Sequence, residues 1–255
     1  MPSISVVVPV LDDAAMLARC LADLAAQLRP ADEVIIVDNG SSDDSAAVAR
    51  SAGARVIEEP LRGIWPAAAA GYDAASGDIV ARLDADSRPP ADWLAHIEAE
   101  FVDDPQIAIL TGPGIFYDGN PVVTGLGQTF YMGGYFWAIG LWLGHSPVFG
   151  SNFAMRRDVW ARMRGRVHRG MREIHDDLDL SLHLDPDQLV RYDERLTVGI
   201  SGRPLSTWSG FGRRVGWAYR TLRLHLPEES PWRRRAARRR WQEQHADGEP
   251  GGAVA

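Results

Sequence analysis

The sequence predicts an α/β protein built on a mostly parallel sheet. Short β-branched apolar runs recur through the first 110 residues, stretches of helical periodicity separate them, and acidic clusters close several of the runs. With 45% hydrophobic and 24% charged residues over 255 positions, the chain has globular composition, which excludes a disordered or collagen-like polymer.

Ile4–Val10 (ISVVVPV) is too short for a helix and apolar at nearly every position, so it reads as a strand buried on both faces. Residues 14–28 carry Leu17, Leu21, Leu24 and Leu28 on a helical stripe that Pro30 stops. Residues 34–37 form the second strand, closed by Asp38-Asn39-Gly40-Ser41-Ser42-Asp43. Ser42 or Asp43 is placed to cap the Ala-rich helix running to about residue 52. Arg55–Glu58 is a third strand, 67–75 a helix, 78–83 a fourth strand meeting Asp84-Ala85-Asp86, 91–101 a helix and 107–110 a strand. Right-handed βαβ alternation of this kind gives a parallel sheet whose ligands bind beyond the carboxyl ends of the strands. Those ends carry Asp12/Asp13, Asp38/Asn39 and Asp84/Asp86.

After Gly112 the pattern changes. Residues 119–155 hold no formal charge, and 130–143 are strongly apolar. Fourteen helical residues reach about 21 Å against a hydrocarbon core of roughly 30 Å, so this is not a membrane span. It reads either as a buried core helix or as a surface facing lipid or an acceptor. Residues 159–171 are basic, and 174–180 (IHDDLDL) open an acidic helix. Residues 211–226 put Phe211, Val215, Ala218, Leu222 and Leu226 on one face of a basic amphipathic helix. The expected organisation is one domain over 1–205, a basic helical tail over 206–241 and a disordered end over 242–255.

All 27 basic residues are arginine, which removes Walker A and Schiff-base chemistry. Cys20 alone allows no disulfide within the chain and no multi-cysteine zinc site. The start, MPSISVVVPV, lacks a basic n-region, so a cytoplasmic protein is expected. Residues 1–150 hold 20 acids and 7 arginines, whereas 151–255 hold 14 acids and 20 arginines. Tryptophans among the arginines of the tail favour the anionic inner face of a membrane over nucleic acid as its partner.

Asp84 and Asp86, two apart at a strand end, offer hard oxygen ligands for Mg²⁺ or Mn²⁺, although a solvated turn would look the same. Asp38 is placed to accept from a ribose or a base N–H; Asp12 and Asp13 are equally readable as helix caps. Asp176 and Asp177 begin a helix where only one is needed as a cap, which leaves the other for general-base work. His145, His168 and His183 show no regular ligand spacing. The first turn has no glycine to approach a pyrophosphate, against a dinucleotide-dependent oxidoreductase. A receiver domain is opposed by the absence of lysine.

Read in order, SVVVPVLDD, EVIIVDNGSSDDS, RGIWPAAAAGYDAASGDIVARLDAD, GSNFAMRR and HDDLDLSL resemble the family-2 glycosyltransferases of the GT-A fold. The resemblance implies a GT-A-like domain, with 1–110 as its nucleotide-sugar-binding half and 111–205 as its acceptor-binding and catalytic half. It also implies a metal-dependent, inverting transfer of sugar from a nucleoside-diphosphate sugar to a hydroxyl of a glycan or lipid-linked acceptor. By that resemblance Pro9, Val10, Asp12 and Asp38 line the nucleotide pocket, Asp84 contacts the nucleotide-sugar and Asp86 holds the metal. Gly150, Ser151 and Asn152 lie by the acceptor, and Asp177, second of an acidic pair with Asp176, is the base. The family's Arg-Asn clamp before Gly71 is replaced by Ala68 and Ala69, leaving Arg62 or Arg82 for the phosphates. The competing expectation is a catalytically degenerate scaffold that binds a membrane or protein partner through the Arg-rich tail.

Overall fold

A computed structural model describes residues 1–118, 133–203, 208–226 and 230–245. Strand β1 (Ile4–Val10) is buried along its whole length, as its unbroken apolar run requires. Ile4, Val6, Val8 and Val10 face one core with Leu17, Leu21 and Leu24 of α1 (Ala14–Ala25), while Val7 faces a second core. Leu28, expected on the α1 stripe, is 76% exposed because the helix ends a turn earlier. β2 (Glu33–Asp38), α2 (Ser45–Ser51) and β3 (Arg55–Glu58) follow. Asp43 accepts the Ser45 N–H at 3.0 Å and, with its other oxygen, the Ala14 N–H at 2.9 Å, so one carboxylate holds the starts of two helices.

Helix α3 (Ile64–Ala74) starts one turn before the expected position, with Pro66 in the first turn where no N–H partner is lost. A Cβ on Gly71 would sit 2.3 Å from Val7 and 2.9 Å from Val37, so glycine lets α3 lie against the sheet. β4 (Ile79–Arg82), α4 (Trp93–Asp103) and β5 (Ile107–Thr111) complete the expected alternation. β6 (Gly114–Phe116) and β9 (Val198–Ile200) form a separate parallel pair.

The main sheet has the order β3-β2-β1-β4-β7-β5-β8, with β8 at Leu189–Tyr192. β7 (Phe153–Arg156), hidden in the sequence behind a loop-like block, inserts antiparallel between β4 and β5. Strand order reverses between β1 and β4, which opens a crevice at their carboxyl ends. Because β7 runs the other way, Arg82 pairs with Phe153, and the residues just before β7 return to that rim.

The second half adds α5 (Gly133–Leu143), α6 (Arg157–Met163), α7 (Asp176–Leu182), α8 (Trp208–His225) and α9 (Pro231–His245). Of the apolar stretch expected over 130–143, residues 130–132 lie outside the described residues. Leu143 is buried and Leu141 exposed. Ala218 and Leu222 of α8 pack with Ile139, Leu143, Leu178 and Leu182, so this part of the amphipathic face is used inside the protein. Helix α9 continues to His245, past the point where the ordered chain was expected to end. No described helix is long and apolar enough to cross a membrane.

Candidate active site

Arg82 closes β4 and is 2% exposed, a charge inside a strand that is otherwise apolar. Its Nη2 donates to Asp84 Oδ1 at 3.0 Å and its Nη1 to Asp176 Oδ2. One guanidinium therefore ties the end of β4 to the N-terminus of α7, across 94 residues of sequence. A buried cation persists only when paired, and the pairing fixes both carboxylates in place. Asp176 is thus neither a free cap nor exposed to an acceptor, contrary to the freedom its position at a helix start suggests.

Asp84 Oδ2 accepts from Ser151 Oγ at 2.5 Å, so Ser151 joins the rim on the side of the Asp84 carboxylate. Gly150 donates its N–H to Asp177 Oδ2 at 3.1 Å, and the Leu178 N–H reaches Asp177 Oδ1 at 2.8 Å. A Cβ on Gly150 would lie 3.2 Å from both Arg82 Nη1 and Asp177 Oδ2, so glycine allows this approach. Burial and the neighbouring Asp176 carboxylate push the Asp177 pKa above the ordinary range, in the direction a base working near neutrality needs. Asn152 differs from its expected place beside an acceptor. It is wholly buried, accepting from Trp93 Nε1 at 3.0 Å and donating to the Pro113 and Leu196 carbonyls.

Asp86 lies on the same rim, its carboxyl pushed up by burial and by the nearby Asp84. Arg203 Nη2 reaches Asp86 Oδ2 at 3.0 Å and Asp13 Oδ2 at 2.6 Å, so Asp13, although it occupies the N-cap position of α1, turns its carboxylate to Arg203 and makes no side-chain cap bond. Asp12 takes the left-handed region at φ 51°, with its carboxylate accepting the Ser42 N–H and hydroxyl, which lowers its pKa. Asp38 accepts the Ser41 N–H at 2.9 Å. Pro9 and Val10 are buried beneath these turns. Arg62 is exposed and donates to the Gly40 carbonyl at 2.7 Å.

Sequence reasoning missed Arg203 and left Arg82 as one of two alternatives for the phosphates; its guanidinium bridges Asp84 and Asp176. The signal for Arg82 was its charge in DIVARL; Arg203 had none, since it lies 117 residues from the carboxylate it meets. Neither Ala68 nor Ala69 reaches the rim, both being buried against the sheet.

Residues 5–163 match the Glycosyl transferase family 2 profile. Glycosyltransferase AglE of Haloferax volcanii is 34% identical over 102 residues, 37% of this chain and 34% of that protein. The undecaprenyl-phosphate 4-deoxy-4-formamido-L-arabinose transferase of Sodalis glossinidius is 36% identical over 104 residues, 37% of this chain and 32% of its own length. The matched stretches thus span about a third of those relatives. Among solved structures, the mannosyltransferase PcManGT of Pyrobaculum calidifontis, in complex with GDP-Man and Mn²⁺, superposes with a TM-score of 0.71 at 17% identity, covering 98% of this chain and 76% of that one. The superposition establishes the GT-A architecture around the crevice just described, and the profile match covers the strands that build it. The chain belongs to glycosyl transferase family 2.

Proposed function

We propose that the chain transfers a sugar from a nucleoside-diphosphate sugar to a hydroxyl of a glycan or lipid-linked acceptor, with a divalent metal and inversion at the anomeric carbon. The observation that carries this is the Arg82 bridge, which holds the donor-side carboxylate Asp84 and Asp176, the neighbour of the base Asp177, around one crevice. PcManGT binding GDP-Man with Mn²⁺, and the polyprenyl phosphate in the name of the Sodalis relative, support the donor and acceptor classes.

The donor set fits a hard divalent cation. Asp86 and Asp84 supply carboxylate oxygens; burial and the neighbouring Asp84 raise Asp86, and a cation would relieve both in the place Arg203 now takes on Asp86 Oδ2. Such ions are held by one or two carboxylates plus substrate phosphates, so a full protein cage is unnecessary. Once bound, Mg²⁺ or Mn²⁺ would neutralise charge on the departing diphosphate. Asp177 takes the proton of the acceptor hydroxyl, its carboxylate aimed by the Gly150 and Leu178 N–H groups. A single base and direct in-line attack give inversion. Arg82 keeps Asp176 from wandering into the acceptor's place.

Trp232, 75% exposed, with the exposed Arg233, Arg239 and Arg240 on α9, supports contact with an anionic membrane surface; each such arginine contributes about 1 kcal/mol near the lipid. The primary test is a screen of nucleotide-sugars for metal-stimulated turnover, repeated with Asp86→Ala. Turnover that this variant loses, along with its response to Mn²⁺, is the expected result. Unchanged metal-dependent activity in Asp86→Ala overturns the metal assignment. A folded wild-type chain that neither transfers nor hydrolyses any donor would favour the scaffold.

A further inference from the structure

A second polar centre lies on the same short helix, away from the crevice. Asp179 is fully buried, and its two oxygens have different surroundings. Oδ2 accepts from Trp65 Nε1 at 2.8 Å and from the His168 N–H at 2.8 Å, which anchors it. Oδ1 faces three imidazoles: His168 Nδ1 at 2.8 Å, His225 Nε2 at 3.2 Å and His183 Nδ1 at 3.6 Å, the last of which donates to the Asp179 carbonyl at 2.7 Å. The rings stack close, with centroids 4.7 to 5.4 Å apart. His225 is more than nine-tenths buried, and its Nε2 has no hydrogen-bond partner among the described residues although it lies 3.2 Å from the carboxylate. An orphaned imidazole nitrogen in such a place is costly unless something else occupies its lone pair.

We propose that His168, Asp179, His183 and His225 form a binding site for a zinc-class divalent metal, separate from the carboxylate rim. Three imidazoles and one carboxylate are the ligand types zinc selects, and a tetrahedral site at about 2.0–2.1 Å needs ligand atoms about 3.3 Å apart. The separations of 2.8 Å to His168 Nδ1 and 3.2 Å to His225 Nε2 lie within about 0.5 Å of that value. His183 offers Nε2, since its Nδ1–H holds the Asp179 carbonyl at 2.7 Å, and one ligand atom from each of the four residues lies within 4.8 Å of all the others. The Trp65 indole N–H on Asp179 supplies the outer hydrogen bond that orients a ligating carboxylate. His168, His183 and His225 also line a cavity of about 790 Å³, which gives an ion an approach. Five arginines also line this cavity. Arg166 pairs with Asp185, Arg238 donates to the carbonyls of Asp185 and Gln188 and Arg240 to that of Ala236, while Arg234 lies close enough to His225 to disfavour its charged form. The other compact group among the described residues, His96, Glu100 and Asp193, is already served by Arg191 and Arg195. The metal joins the C-terminus of α8 to α7 and to the loop holding His168.

The test uses the full chain carrying Asp86→Ala, so that the rim does not contribute, titrated with Co²⁺ and then Zn²⁺. One equivalent of Co²⁺ with the intense visible bands of tetrahedral coordination, displaced by Zn²⁺, is expected. Adding Zn²⁺ should also raise Tm. His225→Gln and, separately, His168→Gln should lose the bands while circular dichroism reports an intact fold. Only the weak spectrum of octahedral oxygen coordination, or no uptake, overturns the site. So does a Tm raised by inorganic phosphate with no Co²⁺ spectrum, which would make the cavity an anion pocket. Retained tetrahedral bands in both histidine variants overturn the ligand assignment.

Discussion

Helix α7 carries two buried carboxylate centres that differ in their counter-groups. At its N-terminus Asp176 is bound to Arg82, a cation that keeps its charge at any physiological pH. One turn on, Asp179 is surrounded by imidazoles, and burial holds His225 down to about 4 and lowers His183 as well. A guanidinium fixes geometry permanently, whereas neutral imidazoles leave lone pairs that another cation could use. One acidic stretch, HDDLDL, is thus divided by its partners into a rigid frame for chemistry and a second centre for binding. Asp177, between the two, accepts from the Gly150 and Leu178 N–H groups and has the His175 imidazole 3.8 Å away, an arrangement that supports the proposed base.

The largest effect is expected at Asp177. Asp177→Asn preserves shape and removes proton acceptance, so transfer should fall by about 10²–10⁴, while donor affinity barely changes. Initial rates together with nucleotide-diphosphate titration check this. If Asp176→Asn is inactive and Asp177→Asn is not, the two roles are exchanged.

Arg82→Met removes the frame itself. Two carboxylates, Asp84 and Asp176, lose a buried partner, and breaking such a pair typically costs about 3–5 kcal/mol. Urea unfolding should show that loss, and turnover should fall with it. A stability change below about 1 kcal/mol would mean that water replaces the guanidinium easily, and Arg82 would no longer be the organiser of the crevice.

Much of the frame was legible. ISVVVPV, EVIIVD and DIVAR announce their strands by composition, and their acidic ends mark the crevice because a parallel sheet collects like ends on one edge. β7 was not legible, since four residues, FAMR, carry no alternation and sit behind a Gly-Ser-Asn turn. Missing it also hid why Ser151 meets Asp84 and why Asn152 is buried. The histidine centre escaped for another reason. Its ligands come from a loop, the end of α7 and the end of α8, with separations of 15 and 42 residues, so no local spacing exists to read. Tertiary packing alone assembles it.

Gly150→Ala perturbs the crevice without removing any polar group. The added methyl must displace Arg82 Nη1 or Asp177 Oδ2 by a few tenths of an ångström. Misplacing a catalytic group by about 1 Å can cost about 10²-fold, so a smaller shift predicts a loss nearer 10-fold in kcat with KM for the donor held. Steady-state kinetics distinguish this from a general loss of fold, which would lower the active fraction instead. An unchanged kcat would show that the Asp177 seat tolerates more freedom than its close packing indicates.

The smallest effect concerns pH and follows from the sign of the Asp177 shift. Burial and Asp176 raise its folded pKa above the ordinary 3.8, so the ionised side chain destabilises the native state at neutral pH. Acidification through the raised value lets the folded protein bind a proton that the unfolded chain does not yet hold, and that destabilisation is relieved. Below 3.8 it is gone. The amide introduced by Asp177→Asn cannot titrate, so the stability of wild type relative to that variant should rise as pH falls from about 7.5 toward 4.5. The many paired acids that lose stability on acidification are common to both proteins and cancel in the difference. Urea midpoints for the two chains across that range measure it directly. If wild type instead loses ground to the variant on acidification, Asp177 is stabilised as an anion, its pKa is depressed, and it is poorly tuned to take a proton from an acceptor hydroxyl.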